Sequence, residues 1–238
     1  MIKDFTAAQN PGDALHRLSY RPLETEPDMV LTIQPAWRSY EDYLGALDSK
    51  NRNSAKSQMK MLATAGVVIE RITDLRQCSA RLHELYCEVQ RNASVKLVTV
   101  PEDYMPGLAE TLGESFRCHI ARRGEEILGF VTMRDRETTI AYYIGFDREA
   151  ASQGIPIYLR LLHAPIGDAI EWRTSRLSLG RTALEPKAAL GAKPEPLSVW
   201  LRHRVPAMNW IIRGVLNAVP HNELPERNPF KTAPGNSQ

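Results

Sequence analysis

The chain has 238 residues, 43% of them apolar and 24% charged, and a formal net charge of +2. That length holds one large domain or two small ones with a real core, and so even a charge excludes a protein dedicated to coating nucleic acid. Cys78, Cys87 and Cys118 form no CxxC pair, and so odd and sparse a count fits buried thiols in a reducing compartment better than a disulfide scaffold.

Residues 1–36 are short and punctuated by Pro11, Pro22, Pro27 and Pro35, with a small helix expected around Asp13–Leu18 and a strand at Met29–Ile33. Ser39 and Asp42 have the spacing of a capping box ahead of Tyr43, Leu44 and Leu47. A basic helix is expected over Asn51–Ala63, with Lys50, Arg52, Lys56 and Lys60 around it, then a strand over Gly66–Ile72. Asp74–Gln90 reads as a helix with Leu75, Leu82, Leu85, Tyr86 and Val89 on one face, and Pro101 opens another in its first turn.

Phe116–Arg122, Ile127–Arg134 and Thr138–Phe146 read as an antiparallel meander. Ile155–Trp172 reads as one long helix kinked at Pro165. A short strand follows at Arg176–Leu179. Thr182 and Glu185 then have the spacing of a reciprocal helix cap, and Gly191 stands where a helix needs a left-handed stop. Lys187 lies between them, on a helix too short to need it for packing. A strand is expected at Pro196–His203. Met208, Ile211, Ile212, Val215, Leu216 and Val219 form a helical stripe before a loose tail, suited to docking on the sheet, to a membrane surface or to a second chain. This order implies an α+β fold with a mixed, mostly antiparallel central sheet flanked by helices. The polar start, Met1 to Pro11, reads as no signal peptide, and no run of about 18 apolar residues suits a membrane span, so a cytoplasmic protein is expected.

Four stretches carry a family resemblance. They are Trp37–Leu44 with Lys50–Arg52; Leu128–Val131; Tyr142–Phe146; and Leu179–Thr182 with Lys187 and Leu190–Ala192. Together they resemble the GCN5-related N-acetyltransferase (GNAT) fold, and within it the Fem-like, BioF2-like acyltransferases of peptidoglycan biosynthesis. The resemblance spans residues 37–204 and leaves 205–238 as a C-terminal amphipathic helix and tail. Ala14–Pro22, within residues 1–36, resembles the closing element of a preceding unit; Fem-like proteins carry two units in tandem. The resemblance implies transfer of an acyl or aminoacyl group to an amine, such as a small molecule or a cell-wall precursor. It implies acetyl-CoA or another acyl-CoA as donor, with aminoacyl-tRNA as the alternative.

In that superfamily the donor's pyrophosphate sits on backbone amides where the central strand splays and a helix begins. The corresponding residues here are Phe146, Arg148, Gln153, Gly154 and Ile155. This loop has one glycine, and Asp147 and Glu149 oppose a phosphate. Tyr142 and Tyr143, adjacent on a strand, are expected on opposite faces; one would pack and the other could protonate a leaving group. Asp147, or alternatively Glu149, is placed to take a proton from the amine. Glu185 is explained by its cap. Arg181 and Lys187 are candidate substrate contacts, and the resemblance sets Lys187 near the acceptor's phosphate. The scattered histidines make no metal-ligand pair. A homodimer and tRNA are further candidate partners. The rival reading is a non-catalytic binding module that keeps the fold and has lost the cofactor cradle.

Overall fold

The computed structural model describes residues 1–6, 12–91, 98–135, 137–205, 208 and 227–231. Apart from Met208, the expected C-terminal helix lies outside these residues. Among them, the strands form one sheet in the order β1-β8-β2-β7-β6-β5-β4-β3. These are β1 (Ile2–Thr6), β2 (Arg21–Thr32), β3 (Val68–Ile72), β4 (Phe116–Arg123), β5 (Glu126–Arg134), β6 (Thr139–Phe146), β7 (Arg176–Ser178) and β8 (Lys193–Leu201). Every neighbouring pair is antiparallel except β6 and β7. The fold is α+β, with the expected meander at β4–β6.

The helices are α1 (Gly12–Arg17), α2 (Tyr40–Ala46), α3 (Ser49–Thr64), α4 (Ser79–Arg91), α5 (Tyr104–Leu112), α6 (Arg148–Ser152), α7 (Ile157–Leu161), α8 (Ala164–Glu171) and α9 (Leu184–Ala188). Strand alternation covers both faces of the sheet. Phe116, Cys118 and Ile120 pack with Leu82, Leu85 and Met105 of α4 and α5. Ala121, Val131 and Met133 pack with Leu62 of α3 and Ile157 and Leu161 of α7. A third cluster joins α2, α8 and α9 to β2 and β7 through Tyr43, Ile166, Ala188, Leu31 and Leu177. The Ser39 box forms as its spacing implies, with Asp42 N–H donating to Ser39 Oγ and Ser39 N–H to Asp42 Oδ2.

Several elements differ from expectation. The strand read at Met29–Ile33 is the end of a twelve-residue β2 that lies between β7 and β8, so residues 1–36 contribute β1 and β2 to the common sheet. The helix expected to open at Pro101 begins at Tyr104, two residues past Pro101-Glu102. The long helix over 155–172 is two helices. In a continuous helix the Pro165 ring would strike the carbonyl of Leu161, and α7 ends at Leu161, so the proline starts α8 instead of kinking one helix. The Thr182–Glu185 cap does not form: Ala183 takes the cap position in a left-handed conformation (φ 51°), and Glu185 pairs with Arg227 at 2.8 Å. Gly191 is left-handed as its position implies (φ 93°). The tail is not loose at residues 227–231. Phe230 packs beside Trp37 and Tyr43, and Lys231 N–H donates to Ala46 O at 3.1 Å, because one aromatic in that polar stretch finds an apolar slot.

Gly145 lets α4 press on β6. A Cβ there would lie 2.8 Å from the Leu85 backbone carbon and 2.5 Å from the Phe130 ring. Gly145→Ala should therefore cost about 1–3 kcal/mol in urea unfolding with an unchanged m value. Parent-like stability would mean that α4 is not seated there.

Candidate active site

β6 and β7 pair only at Thr139–Leu177 and Ile140–Ser178. Beyond Ile140 no strand among the described residues lies beside the edge of β6 that faces β7. The chain leaves β7 at Gly180 (φ 79°) because β2 pulls it away. Leu179 N–H donates to Met29 O (2.8 Å), Met29 N–H donates to Gly180 O (3.2 Å), and Asp28 Oδ1 accepts from Gly180 N–H (3.0 Å) and Ser178 Oγ (2.9 Å). The gap opens into a cavity of about 440 Å³, within the range of small-molecule sites.

Tyr142, Tyr143 and Phe146 line one side of the cavity, and Tyr158, Arg181 and Lys187 also face it. Tyr142 and Tyr143 are not on opposite faces. β6 bulges there, with Tyr143 opposite Thr132 and Ala141 opposite Met133, so Tyr142 has no partner residue and the two rings come within 4.5 Å. Tyr104 Oη is 3.3 Å from Tyr142 Oη. Burial, together with the neighbouring tyrosines, pushes the Tyr143 phenol far up, so it stays protonated. Burial raises Tyr158 to about 12.

Lys187 is 3% exposed. One-turn α9 packs against β2 and β8, which turns this side chain inward instead of leaving it on the surface. Its Nζ donates to Gly180 O at 3.1 Å. Burial lowers its pKa to about 8, against the opposing pull of Asp28 and Glu26. Among the described residues, two cations and no carboxylate line the cavity. Arg181 is already paired with Asp4 of β1.

The model of the acetyltransferase (GNAT) domain matches residues 49–188. The chain belongs to the GNAT family. Solved structures share the fold. The C-terminal domain of a putative lysylphosphatidylglycerol synthetase from Agrobacterium fabrum is 12% identical, with a TM-score of 0.59 over 90% of this chain and 71% of that one. L-PGS from Bacillus licheniformis is 11% identical, with a TM-score of 0.55 over 90% and 71%. FemX is 11% identical, with a TM-score of 0.57 over 89% and 72%. No curated protein matches the chain in sequence.

GNAT domains in general bind acyl-CoA, so the loop after β6 is the place to test for phosphates. Five of its amides are already used. Asp147 N–H donates to Leu128 O, Ala150 N–H to Asp147 Oδ1, Ala151 N–H to Asp147 O, Gln153 N–H to Glu149 O, and Gly154 N–H to Ala151 O. Arg148, Gln153 and Gly154 are exposed, and neither they nor Ile155 line the cavity. Phe146 does. The cavity has room for an acyl arm, and these five amides are not free to hold a pyrophosphate.

Asp147 lies outside the cavity lining. Its carboxylate caps α6 and pairs with Arg81 Nη2 at 2.9 Å. Burial raises its pKa, but the Ala150 amide and the Arg81 guanidinium outweigh this and hold the group below the usual carboxylate value. Glu149 is exposed on α6. Sequence reasoning missed Tyr158, which falls inside the span expected as one long helix, and Asp28, whose link to Gly180 is visible only across the sheet.

Two predictions follow from these side chains. Lys187→Met should stabilise the protein by about 1–3 kcal/mol below pH 8, where the parent buries a charged amine. The unfolded lysine holds its proton up to about pH 10.5, so parent stability rises between pH 8 and 10.5 and the gap closes. A constant gap across that range in thermal melts would contradict the buried amine. Asp147→Ala should cost about 1 kcal/mol above pH 4, and the loss should vanish as the parent carboxylate protonates at lower pH. An equal loss at pH 3 and pH 7 would show that the cap and ion pair do not carry it.

Proposed function

We propose that the cavity between β6 and β7 transfers an acyl or aminoacyl group from an activated carboxyl donor, a thioester or a tRNA ester, to an amine. The observation that carries this reading is the open edge of β6 facing a cavity that holds a buried lysine and three tyrosines. The amine attacks the donor carbonyl directly, and the tetrahedral oxyanion is met by backbone N–H groups of the unpaired β6 edge. With no carboxylate in the lining, the neutral form of Lys187 takes the proton released by the attacking amine. Tyr143, held in its protonated state, gives a proton to the departing thiolate or ribose oxygen, and Tyr142 orients the acceptor with it. Arg181 faces anionic groups at the mouth. Fold likeness to FemX and to lysylphosphatidylglycerol synthetase domains supports acyl or aminoacyl transfer as the reaction class, and a cell-wall precursor amine is the acceptor that the Fem-like resemblance favours. In this reading residues 1–36 are the closing strands of a preceding unit, completed here by β8.

The five bonded amides of the loop, beside Asp147 and Glu149, favour a second reading: a GNAT-like module that binds its ligand and does not turn it over.

Thiol release from acyl thioesters, with a panel of amines as acceptors, tests both. On the first reading kcat/KM rises with pH through about 8 and Lys187→Met removes that limb with a loss of at least about tenfold. With five of the loop's amides already bonded, N-acetylcysteamine thioesters should serve within about tenfold of the matching acyl-CoA. Ligand binding without turnover for any thioester or aminoacyl-tRNA would establish the second reading.

A further inference from the structure

Among the described residues, both cations that line the large cavity answer to carboxylates of the two N-terminal strands. Those strands precede residues 49–188, the span matched by the GNAT domain. Arg181 pairs with Asp4 of β1. Lys187 Nζ donates to Gly180 O at 3.1 Å, and the N–H of that same glycine donates to Asp28 Oδ1 of β2 at 3.0 Å. Ser178 Oγ donates to the same carboxylate oxygen at 2.9 Å. One oxygen of Asp28 therefore fixes two points of the turn that carries the lysine's acceptor.

Each carboxylate stands at an irregularity in strand pairing. β1 pairs Ile2 with Trp200 and Phe5 with Ser198, so Lys3 and Asp4 share one partner residue, and Asp4 is left-handed (φ 66°). β2 pairs Thr25 with Leu197 and Asp28 with Glu195, so Glu26 and Pro27 share one. Bulges of this kind re-aim side chains beside active sites. The second shifts the alternation of β2 by one residue just before Asp28.

The other charges around the lysine are distant or already paired. Asp28 and Glu26 both raise its pKa against the burial that lowers it, Asp28 the more strongly, and Glu26 is exposed. Arg181 is taken by Asp4, Glu185 of α9 by Arg227, and Glu195 of β8 by Arg176. Lys193 of β8 is exposed. Burial keeps Tyr143 and Tyr158 protonated. Asp28 thus reaches the amine in two ways, through Gly180 and by its charge.

We infer that Asp28 is a positioning residue for the amine of the cavity: it holds the Gly180 turn so that the Gly180 carbonyl receives Lys187 Nζ, and its negative charge tunes how tightly the amine keeps its proton. The inference rests on Lys187 as the proton acceptor of the transfer reaction, and it gives residues 1–36 a share in the site.

The test separates the two effects. Asp28→Asn keeps an oxygen for Ser178 and Gly180 and removes the charge; Asp28→Ala removes both. Heteronuclear NMR of the full chain with labelled lysine follows the Lys187 titration, its signal assigned by its loss in Lys187→Met, and the Gly180 amide reports the turn. Asp28→Asn should move the titration midpoint below the parent's, which lies at about 8, and leave the Gly180 amide near its parent position. Glu26→Gln should move the midpoint less, and Asp28→Ala should displace the Gly180 amide as well. In thiol release, the rising limb of kcat/KM should follow the midpoint to lower pH in Asp28→Asn, and Asp28→Ala should lose at least about tenfold in kcat/KM. An unmoved midpoint in folded Asp28→Asn protein, a midpoint moved as far by Glu26→Gln, or parent-like kcat/KM in Asp28→Ala would each overturn the inference. If the parent releases no thiol with any amine, the transfer reading fails, and the midpoints and the Gly180 amide decide the inference alone.

Discussion

The arrangement depends on one competition for β7. Two strands claim its edges, and β2 wins after Ser178. Asp28 accepts from Ser178 and Gly180, and Met29 exchanges hydrogen bonds with Leu179 and Gly180, so the chain is drawn toward β2 and away from β6. The opening beside β6, the left-handed turn at Gly180 and the placement of α9 all follow. The carbonyl of Gly180 then receives Lys187 Nζ, which fixes the one nearly buried charge of the cavity on the same corner. A buried amine with no carboxylate paired to it among the described residues is costly, and it is the group on which the proposed chemistry rests.

The two faces of the sheet divide the work. α4 closes against Gly145 and carries the aromatic side, where Tyr86, Tyr104, Tyr142 and Tyr143 lie ring against ring. α7 and α8 close the other side. Their break at Pro165 leaves Leu162 in the wall of the large cavity.

What the chain reveals on paper and what it hides have physical causes. Local signals were legible. The Ser39 box, the turns of the meander and the stop at Gly191 each rest on residues a few positions apart. Lys187, Tyr142, Tyr143, Phe146 and Arg181 were legible as candidates from the family resemblance, and the fold brings all five to one cavity. The failures are long-range or subtle. The bulge at Tyr142 shifts register by one residue and reverses which face a tyrosine takes, which alternation cannot foresee. The cap read at Thr182–Glu185 loses to the turn demanded by Gly180 and Ala183. The loop from Asp147 to Ile155 has a feature that composition does not contain: five of its amides are bonded within the loop or to β5.

The central claim is that the parting of β6 from β7 receives the activated carboxyl group. A crystal structure with a slowly reacting acyl N-acetylcysteamine thioester tests it most directly. The account predicts density in the gap, with the thioester carbonyl against the free edge of β6 and within reach of Lys187. Thioester bound elsewhere, while amine acylation proceeds in the same preparation, would contradict it.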